Sequence, residues 1–210
     1  MPMNDDVRKV CDAAPVIPVI VIRDLAHARP LAEALVAGGL PSLEVTLRTD
    51  CALAAIEEMA KVPGAMVGAG TLRTAADVRR AQDAGATFGV SPGATDVLLD
   101  ACESLSMPFL PGAATATEAM RLADLGYEIL KFFPAEASGG APAIKSLASP
   151  LPDIKFCPTG GVSPNNAPDY LGAKNVLCVG GSWVADQGLM EAGSWARIEG
   201  LAKAAASLPR

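Results

Sequence analysis

The sequence predicts an α/β chain, a (β/α)8 TIM barrel with a short N-terminal helix, on three observations. Short β-type runs alternate with Ala-rich helical runs along the chain, and eight such units can be read. The β runs carry few polar residues, as parallel strands do when both faces are covered. Half of the 210 residues are hydrophobic, enough for one well-filled core, and no linker-like or low-complexity segment divides them. One barrel domain over residues 1–210 is the expectation. Because the fold typically takes roughly 250 residues, the loops must be short.

In chain order, the candidate strands are Val16 to Ile22, Ser42 to Leu47, Met66 to Ala69, Thr87 to Ser91, Phe109 to Leu110, Glu128 to Phe133, Lys155 to Pro158 and Asn175 to Val179. Helix starts are readable between them. Thr74-x-x-Asp77 and Thr115-x-x-Glu118 have the form of capping boxes, and Ser163-Pro164 reads as an N-cap followed by proline at the first helical position. Gly38-Gly39, Gly85 and Gly126 each follow a helical run and supply the left-handed residue that turns the chain toward the next strand.

Composition narrows the chemistry. The formal net charge of -6 argues against a nucleic-acid surface, which needs a clustered basic face. The apolar run from Pro15 to Ile22 is too short to span a membrane and lacks a following cleavage pattern. Five widely spaced cysteines with no Cys-x-x-Cys pair suit a reducing compartment, so a soluble cytoplasmic protein is expected. The single histidine, His27, leaves no zinc ligand set, and no Gly-x-Ser-x-Gly elbow accompanies it. No metal is therefore expected, and His27 reads as a partly exposed helix residue.

Lys131 is the one charge in the apolar run Ile129-Leu130-Lys131-Phe132-Phe133. Period-two alternation places Ile129, Lys131 and Phe133 on one face and Leu130 and Phe132 on the other, with Pro134 ending the strand. Both faces look buried. A buried ammonium must pair, reach water along its stem or give up its proton, and a neutral amine attacks ketones to form Schiff bases. An edge-strand lysine reaching solvent is the plain alternative.

A barrel's active site lies at the C-terminal ends of its strands. There the second strand offers Glu44, Thr46 and Arg48 on one face and Leu43, Val45 and Leu47 on the other, so the polar set is assigned to the interior. Glu44 and Arg48 lie roughly 13 Å apart along a strand, too far to neutralise each other fully. Glu44 is placed to meet Lys131 across the barrel, and Arg48 at the rim to hold a carboxylate through its planar fork. A purely structural ion-pair network is the alternative. Gly160, Gly161, Gly181 and Ser182 follow the last two strands, where barrels commonly hold phosphate, although glycines there also simply end strands.

Seven stretches carry a resemblance running almost end to end: Leu43-Glu44-Val45-Thr46-Leu47-Arg48-Thr49, Gly68-Ala69-Gly70-Thr71, Ser91-Pro92-Gly93, Leu110-Pro111-Gly112, Leu130-Lys131-Phe132-Phe133-Pro134-Ala135-Glu136, Pro158-Thr159-Gly160-Gly161-Val162 and Gly180-Gly181-Ser182-Trp183. Together and in this order they resemble the 2-keto-3-deoxy-6-phosphogluconate (KDPG) aldolases, the bifunctional KDPG/4-hydroxy-2-oxoglutarate aldolase family. The resemblance implies that Lys131 forms the Schiff base, Glu44 is general acid and base, and Arg48 with Thr71 holds the pyruvate carboxylate. It further implies that Pro92 and Phe133 line the pocket, that Thr159 meets the aldehyde portion, and that Gly160, Gly161, Gly181 and Ser182 take the phosphate.

The implied reaction is class I cleavage of a phosphorylated keto acid to pyruvate and glyceraldehyde 3-phosphate, without metal or organic cofactor, in a homotrimer. Relatives acting on 4-hydroxy-2-oxoglutarate or on the galactonate epimer keep those substrates open. The rivals are a phosphate-binding barrel enzyme without a covalent lysine, which leaves Lys131 beside Glu44 unexplained, and a noncatalytic phosphosugar-binding barrel in which the two merely pair.

Overall fold

The computed structural model describes residues 2–210. Its strands are β1 (Val16–Ile20), β2 (Ser42–Thr46), β3 (Met66–Gly70), β4 (Phe88–Val90), β5 (Phe109–Leu110), β6 (Gly112–Ala113), β7 (Ile129–Phe132), β8 (Lys155–Pro158) and β9 (Val179–Gly181). Helices α1 (Asn4–Asp12), α2 (Ala28–Ala37), α3 (Ala52–Met59), α4 (Ala75–Asp83) and α5 (Asp96–Ser104) belong to the first half. The second half contributes α6 (Ala116–Asp124), α7 (Gly140–Leu147), α8 (Ala167–Leu171), α9 (Gln187–Glu191) and α10 (Trp195–Ala206).

The strands form a six-stranded sheet, ordered β5-β4-β3-β2-β1-β9, and a three-stranded sheet, β6-β7-β8. Every ladder among them is parallel. Parallel neighbours need crossovers, and the helices supply them. One core fills the space between strands and helices, where Leu43, Val45, Leu130 and Phe132 pack with α-helical residues such as Leu31, Leu35 and Ile56. A second, smaller core lies on the other strand face, built from Ile17, Phe88, Val90, Leu110, Ile129, Cys157 and Cys178. Along β7 the expected alternation is the division between these cores, with Leu130 and Phe132 in the first and Ile129 in the second; along β2, Leu43 and Val45 lie in the first while the other face is the buried polar set Ser42, Glu44 and Thr46. Helix α1 closes the smaller one with Val7, Val10 and Cys11, and Ser42 at the start of β2 donates its hydroxyl to the Val10 carbonyl at 2.8 Å.

The capping boxes at Thr74/Asp77 and Thr115/Glu118 are both formed, and they start α4 and α6. Gly39, Gly85 and Gly126 adopt φ of 88°, 91° and 89°, the left-handed residues that end α2, α4 and α6. Gly38 is instead a right-handed C-cap, and its small size has another cause: a Cβ there would sit 2.3 Å from that of Ala202 on α10.

The fifth strand lies at Phe109–Leu110 as expected, and a further short strand, Gly112–Ala113, follows across Pro111, which has no N–H to continue the ladder; its carbonyl accepts from the Lys131 amide at 2.8 Å. Two expectations are corrected. The last strand is displaced along the chain from Asn175–Val179 to Val179–Gly181, since regular pairing with β1 begins at Val16↔Val179. Residues before it make only an isolated bridge, Phe156↔Val176, while the buried Asn175 side chain donates to the Ile144 carbonyl at 2.9 Å. Ser163-Pro164 does not start a helix. Asn166 is the N-cap residue of α8, and its side chain is turned back to accept from the Ser163 amide at 2.7 Å. His27 lies in a short 3-10 turn before α2 and meets Trp195 edge-on at 5.8 Å between ring centroids.

Candidate active site

Lys131 enters from β7 with its backbone in register between Gly112 and Cys157. Its Nζ donates to Glu44 Oε1 at 3.0 Å, with the two side chains only 6% and 4% exposed. The same ammonium lies 5.5 Å from the centre of the Phe133 ring. Burying both charges is costly unless they pair, so the contact that the sequence suggested is also the one that makes either residue tolerable inside the strands.

The room for this pair is made by glycine. A Cβ on Gly70 would fall 2.3 Å from Glu44 Oε1, and one on Gly68 would fall 2.3 Å from the Phe88 ring. Both glycines lie on β3, beside Glu44 in the Glu44↔Gly68 register. Their structural part is to let a carboxylate and a ring occupy the inner face.

Above the pair opens a cavity of about 250 Å³ lined by Arg48, Lys131, Phe133, Thr159, Gly160, Gly161 and Ser182, together with Val19, Val21, Val162 and Gly180. Most of the residues singled out in the sequence thus meet in one place. Two of the valines were missed. Val19 and Val21 come from β1 and its end, which carried no polar residue to mark it, and only their position beside β2 could have signalled them.

Arg48 is exposed at the rim, and its Nε donates to Thr71 Oγ1 at 3.1 Å. Thr71 has φ of 62°, the left-handed region that a β-branched residue rarely adopts. It reaches the Lys131 cavity through Arg48 and itself lines a neighbouring cavity with Asp50, Arg73 and Arg80. Pro92 is exposed and lies outside the lining; its backbone presses on Gly112, where a Cβ would come 2.3 Å from the Pro92 carbonyl. Gly181 is also outside the lining, since its missing side chain makes room for the Trp183 ring at 1.9 Å from an ideal Cβ.

Gly160 and Gly161 form a tight turn after β8, with φ of 100° and 79°. Their carbonyls are tied to the chain behind the turn, Gly160 O to the Glu136 amide at 3.0 Å and Gly161 O to Asn166 Nδ2 at 3.1 Å. A trans peptide points its N–H opposite its C=O, so the amides of Gly161 and Val162 are directed away from those anchors. No long helix starts at either glycine turn: α8 begins only at Ala167, and a three-residue 3-10 turn follows Ser182. What these turns offer to the cavity is therefore backbone amides and the Ser182 side chain, with no helix dipole behind them. Among the described residues, no group of three or more His, Cys, Asp or Glu is placed to hold a metal ion. Nor is any helix among them long and apolar enough to cross a membrane.

A sequence model described as KDPG and KHG aldolase matches residues 7–201. A 2-dehydro-3-deoxy-phosphogluconate aldolase of Zymomonas mobilis is 52% identical over 205 residues, 98% of this chain and 97% of its own length. The crystal structure of the Zymomonas mobilis aldolase with 3-phosphoglycerate superposes with a TM-score of 0.94 at 51% identity, covering 99% of this chain and 98% of that one. The Legionella pneumophila KDPG aldolase, with pyruvate captured as a covalent carbinolamine, gives a TM-score of 0.92 at 45% identity, covering 95% of this chain and 98% of that one. With a buried lysine-glutamate pair under a glycine-lined cavity and these relatives along nearly its full length, the chain belongs to the KDPG and KHG aldolase family.

Proposed function

We propose that this chain is a class I aldolase that cleaves 2-dehydro-3-deoxy-6-phosphogluconate to pyruvate and glyceraldehyde 3-phosphate. The observation that carries the reading is the buried Lys131–Glu44 contact at 3.0 Å beneath the cavity. The carbinolamine captured in the Legionella pneumophila relative supports a covalent lysine. The reading takes the two sheets as one closed (β/α)8 barrel domain. Two features support closure: β5 and β6 are interrupted only by Pro111, and the bridges Phe156↔Val176 and Thr159↔Gly180 join the other side.

In this mechanism Lys131 passes a proton to Glu44, and the free amine adds to the C2 ketone. Loss of water from the carbinolamine gives a protonated imine. Glu44, deprotonated again through solvent, takes the proton of the C4 hydroxyl, the C3–C4 bond breaks, and its electron pair flows into the imine to leave an enamine. The aldehyde departs, C3 takes a proton from the Glu44 carboxyl, and water hydrolyses the imine to pyruvate and free Lys131. Because the imine is itself the electron sink, the reaction needs neither metal nor organic cofactor. Arg48, oriented by Thr71, holds the keto-acid carboxylate, Phe133 and Thr159 flank the reacting chain, and the turn at Gly160 and Gly161 with Ser182 takes the phosphate. Pro92 at the rim and Gly181 beside Ser182 shape this site from outside the cavity lining.

The Gly160-Gly161 turn and Ser182 in the cavity lining, read as a phosphate site, favour the phosphorylated substrate over 4-hydroxy-2-oxoglutarate, which carries no phosphate to place there. A homotrimer and a cytoplasmic setting belong to the same reading, and sedimentation of the purified protein tests the former. The function itself is tested by incubating the protein with 2-dehydro-3-deoxy-6-phosphogluconate and assaying both products. Equal amounts of pyruvate and glyceraldehyde 3-phosphate are expected. Absence of turnover on this compound rejects the reading.

A further inference from the structure

The stretch after the Schiff-base strand does not end its work at Pro134. Glu136 sits directly behind the Gly160-Gly161 turn and holds it in two ways. Its amide donates to the Gly160 carbonyl at 3.0 Å, and its side chain fills the space behind Gly161, where a Cβ would lie 2.5 Å from Glu136 Cγ. The carboxylate is fixed in turn by α8, whose buried Tyr170 donates its hydroxyl to Glu136 Oε1. From the start of the same helix, Asn166 donates to the Gly161 carbonyl at 3.1 Å.

We propose that Glu136, Tyr170 and Asn166 are positioning residues that fix the orientation of the phosphate turn, a role resting on the reading of Gly160 and Gly161 as the phosphate site. Two successive peptides are pinned by their carbonyls, so their two amides are directed together away from Glu136 and Asn166, on a turn whose residues line the cavity. Glycine in the left-handed region is the most freely rotating residue available, and two in sequence would otherwise sample many peptide orientations. Each wrong orientation presents a carbonyl oxygen to an anion. Donors that are already aimed avoid that cost at the moment of binding. The Glu136 carboxylate is itself an unfavourable neighbour for phosphate. Its place behind the turn, with its oxygen engaged by Tyr170, suits a brace better than a ligand.

The phenol stays a donor across the working pH range. Burial raises its pKa, and the hydrogen bond to Glu136 and the charge of that carboxylate raise it further. Replacing Tyr170 by Phe keeps the buried ring and removes only the donor, so the fold is preserved while the brace is cut.

The test compares cleavage of the phosphorylated substrate, cleavage of unphosphorylated 2-keto-3-deoxygluconate, and exchange of pyruvate methyl protons, in wild type, Tyr170→Phe, Asn166→Ala, Glu136→Ala and Glu136→Gln. Tyr170→Phe, Asn166→Ala and Glu136→Ala should each raise KM for the phosphorylated substrate at least about tenfold, because small displacements of positioning groups weaken binding steeply. Pyruvate exchange should change far less, and Glu136→Gln, which keeps an acceptor for Tyr170, should recover most of the loss. The proposal is overturned if the three variants keep the wild-type preference for the phosphorylated substrate, or lose exchange in proportion to cleavage while folded by circular dichroism. If wild type itself shows no preference for the phosphorylated compound, the phosphate reading falls, and the positioning role with it. If Ser182→Asp abolishes the preference and the brace variants retain it, the phosphate reading stands and only the positioning role fails.

Discussion

Lys131 Nζ and Glu44 Oε1 are 3.0 Å apart across 87 residues of sequence, with both side chains buried. Among the described residues neither forms a salt bridge with any other group, so each is the other's neutralisation. Removing one leaves a lone buried charge, at a cost of about 3 kcal/mol, whereas removing both leaves none. Lys131→Met and Glu44→Gln should therefore each destabilise the protein by that amount, and the double variant by clearly less than the sum. Urea unfolding of the four proteins measures the coupling. Additive losses would mean that the pair is not energetically linked.

Gly70 makes the place of the Glu44 carboxylate testable from the neighbouring strand. A methyl group would lie 2.3 Å from Oε1 and push the carboxylate off Lys131. Gly70→Ala should lower kcat on the order of a hundredfold, as displacements of about 1 Å do at reacting centres. An unchanged kcat would show that Glu44 acts from another position or not at all.

Ser182 tests the anion site directly. Its exposed side chain lines the cavity, so Ser182→Asp puts a carboxylate against the phosphate. Cleavage of the phosphorylated substrate should fall by about a hundredfold or more, through both lost hydrogen bonding and like-charge repulsion. Pyruvate exchange should fall much less. Equal losses would place the phosphate elsewhere. Gly161→Val is a less clean choice than the glycine pattern suggests, because a Cβ at 161 meets Glu136 rather than the cavity and is strained at φ of 79°.

Stability at acid pH is expected to depend on Asp77. Burial pushes its carboxyl up, but hydrogen bonds from the Arg80 guanidinium, the Arg73 amide and Thr74 outweigh that and hold it below the ordinary value of 3.8. A depressed carboxyl contributes stability that is complete above its unfolded pKa and is lost as pH falls through the folded one. Asp77→Asn should thus cost about 1 to 2 kcal/mol at pH 7, and the difference should shrink below 3.8 as the wild-type group protonates. A pH-independent difference between the two urea curves would contradict this.

What was legible in the sequence follows from how local each feature is. The capping boxes need only residues three apart, and Thr74/Asp77 and Thr115/Glu118 are formed. The alternation of Glu44 and Thr46 against Leu43 and Val45 gave the two faces of β2, because period two is intrinsic to a strand. Ser163-Pro164 misled because Asn166, three residues on, accepts from both the Ser163 amide and its hydroxyl and holds the segment in a turn, so that the helix begins only after it. The displaced last strand was illegible for a different reason. Val176 to Val179 looks like a strand by composition, while its pairing is set by where Pro15 and Val16 lie, 163 residues earlier for Val16↔Val179. Val19 and Val21 were invisible as site residues since apolar side chains on a strand say nothing of which cavity they line. The space-making parts of Gly70 and Gly181 likewise depend on Glu44 and Trp183 side chains that only the folded chain brings near.

The most direct measurement is reduction with borohydride in the presence of pyruvate, followed by peptide mass analysis. Only an imine is trapped under mild conditions, and the buried amine against Glu44 at the floor of the cavity is the one proposed to form it. One reduced pyruvate on Lys131, with matching loss of activity, is the predicted result. Labelling of another lysine, or no labelling of a protein that still turns over substrate, would contradict the Schiff-base mechanism.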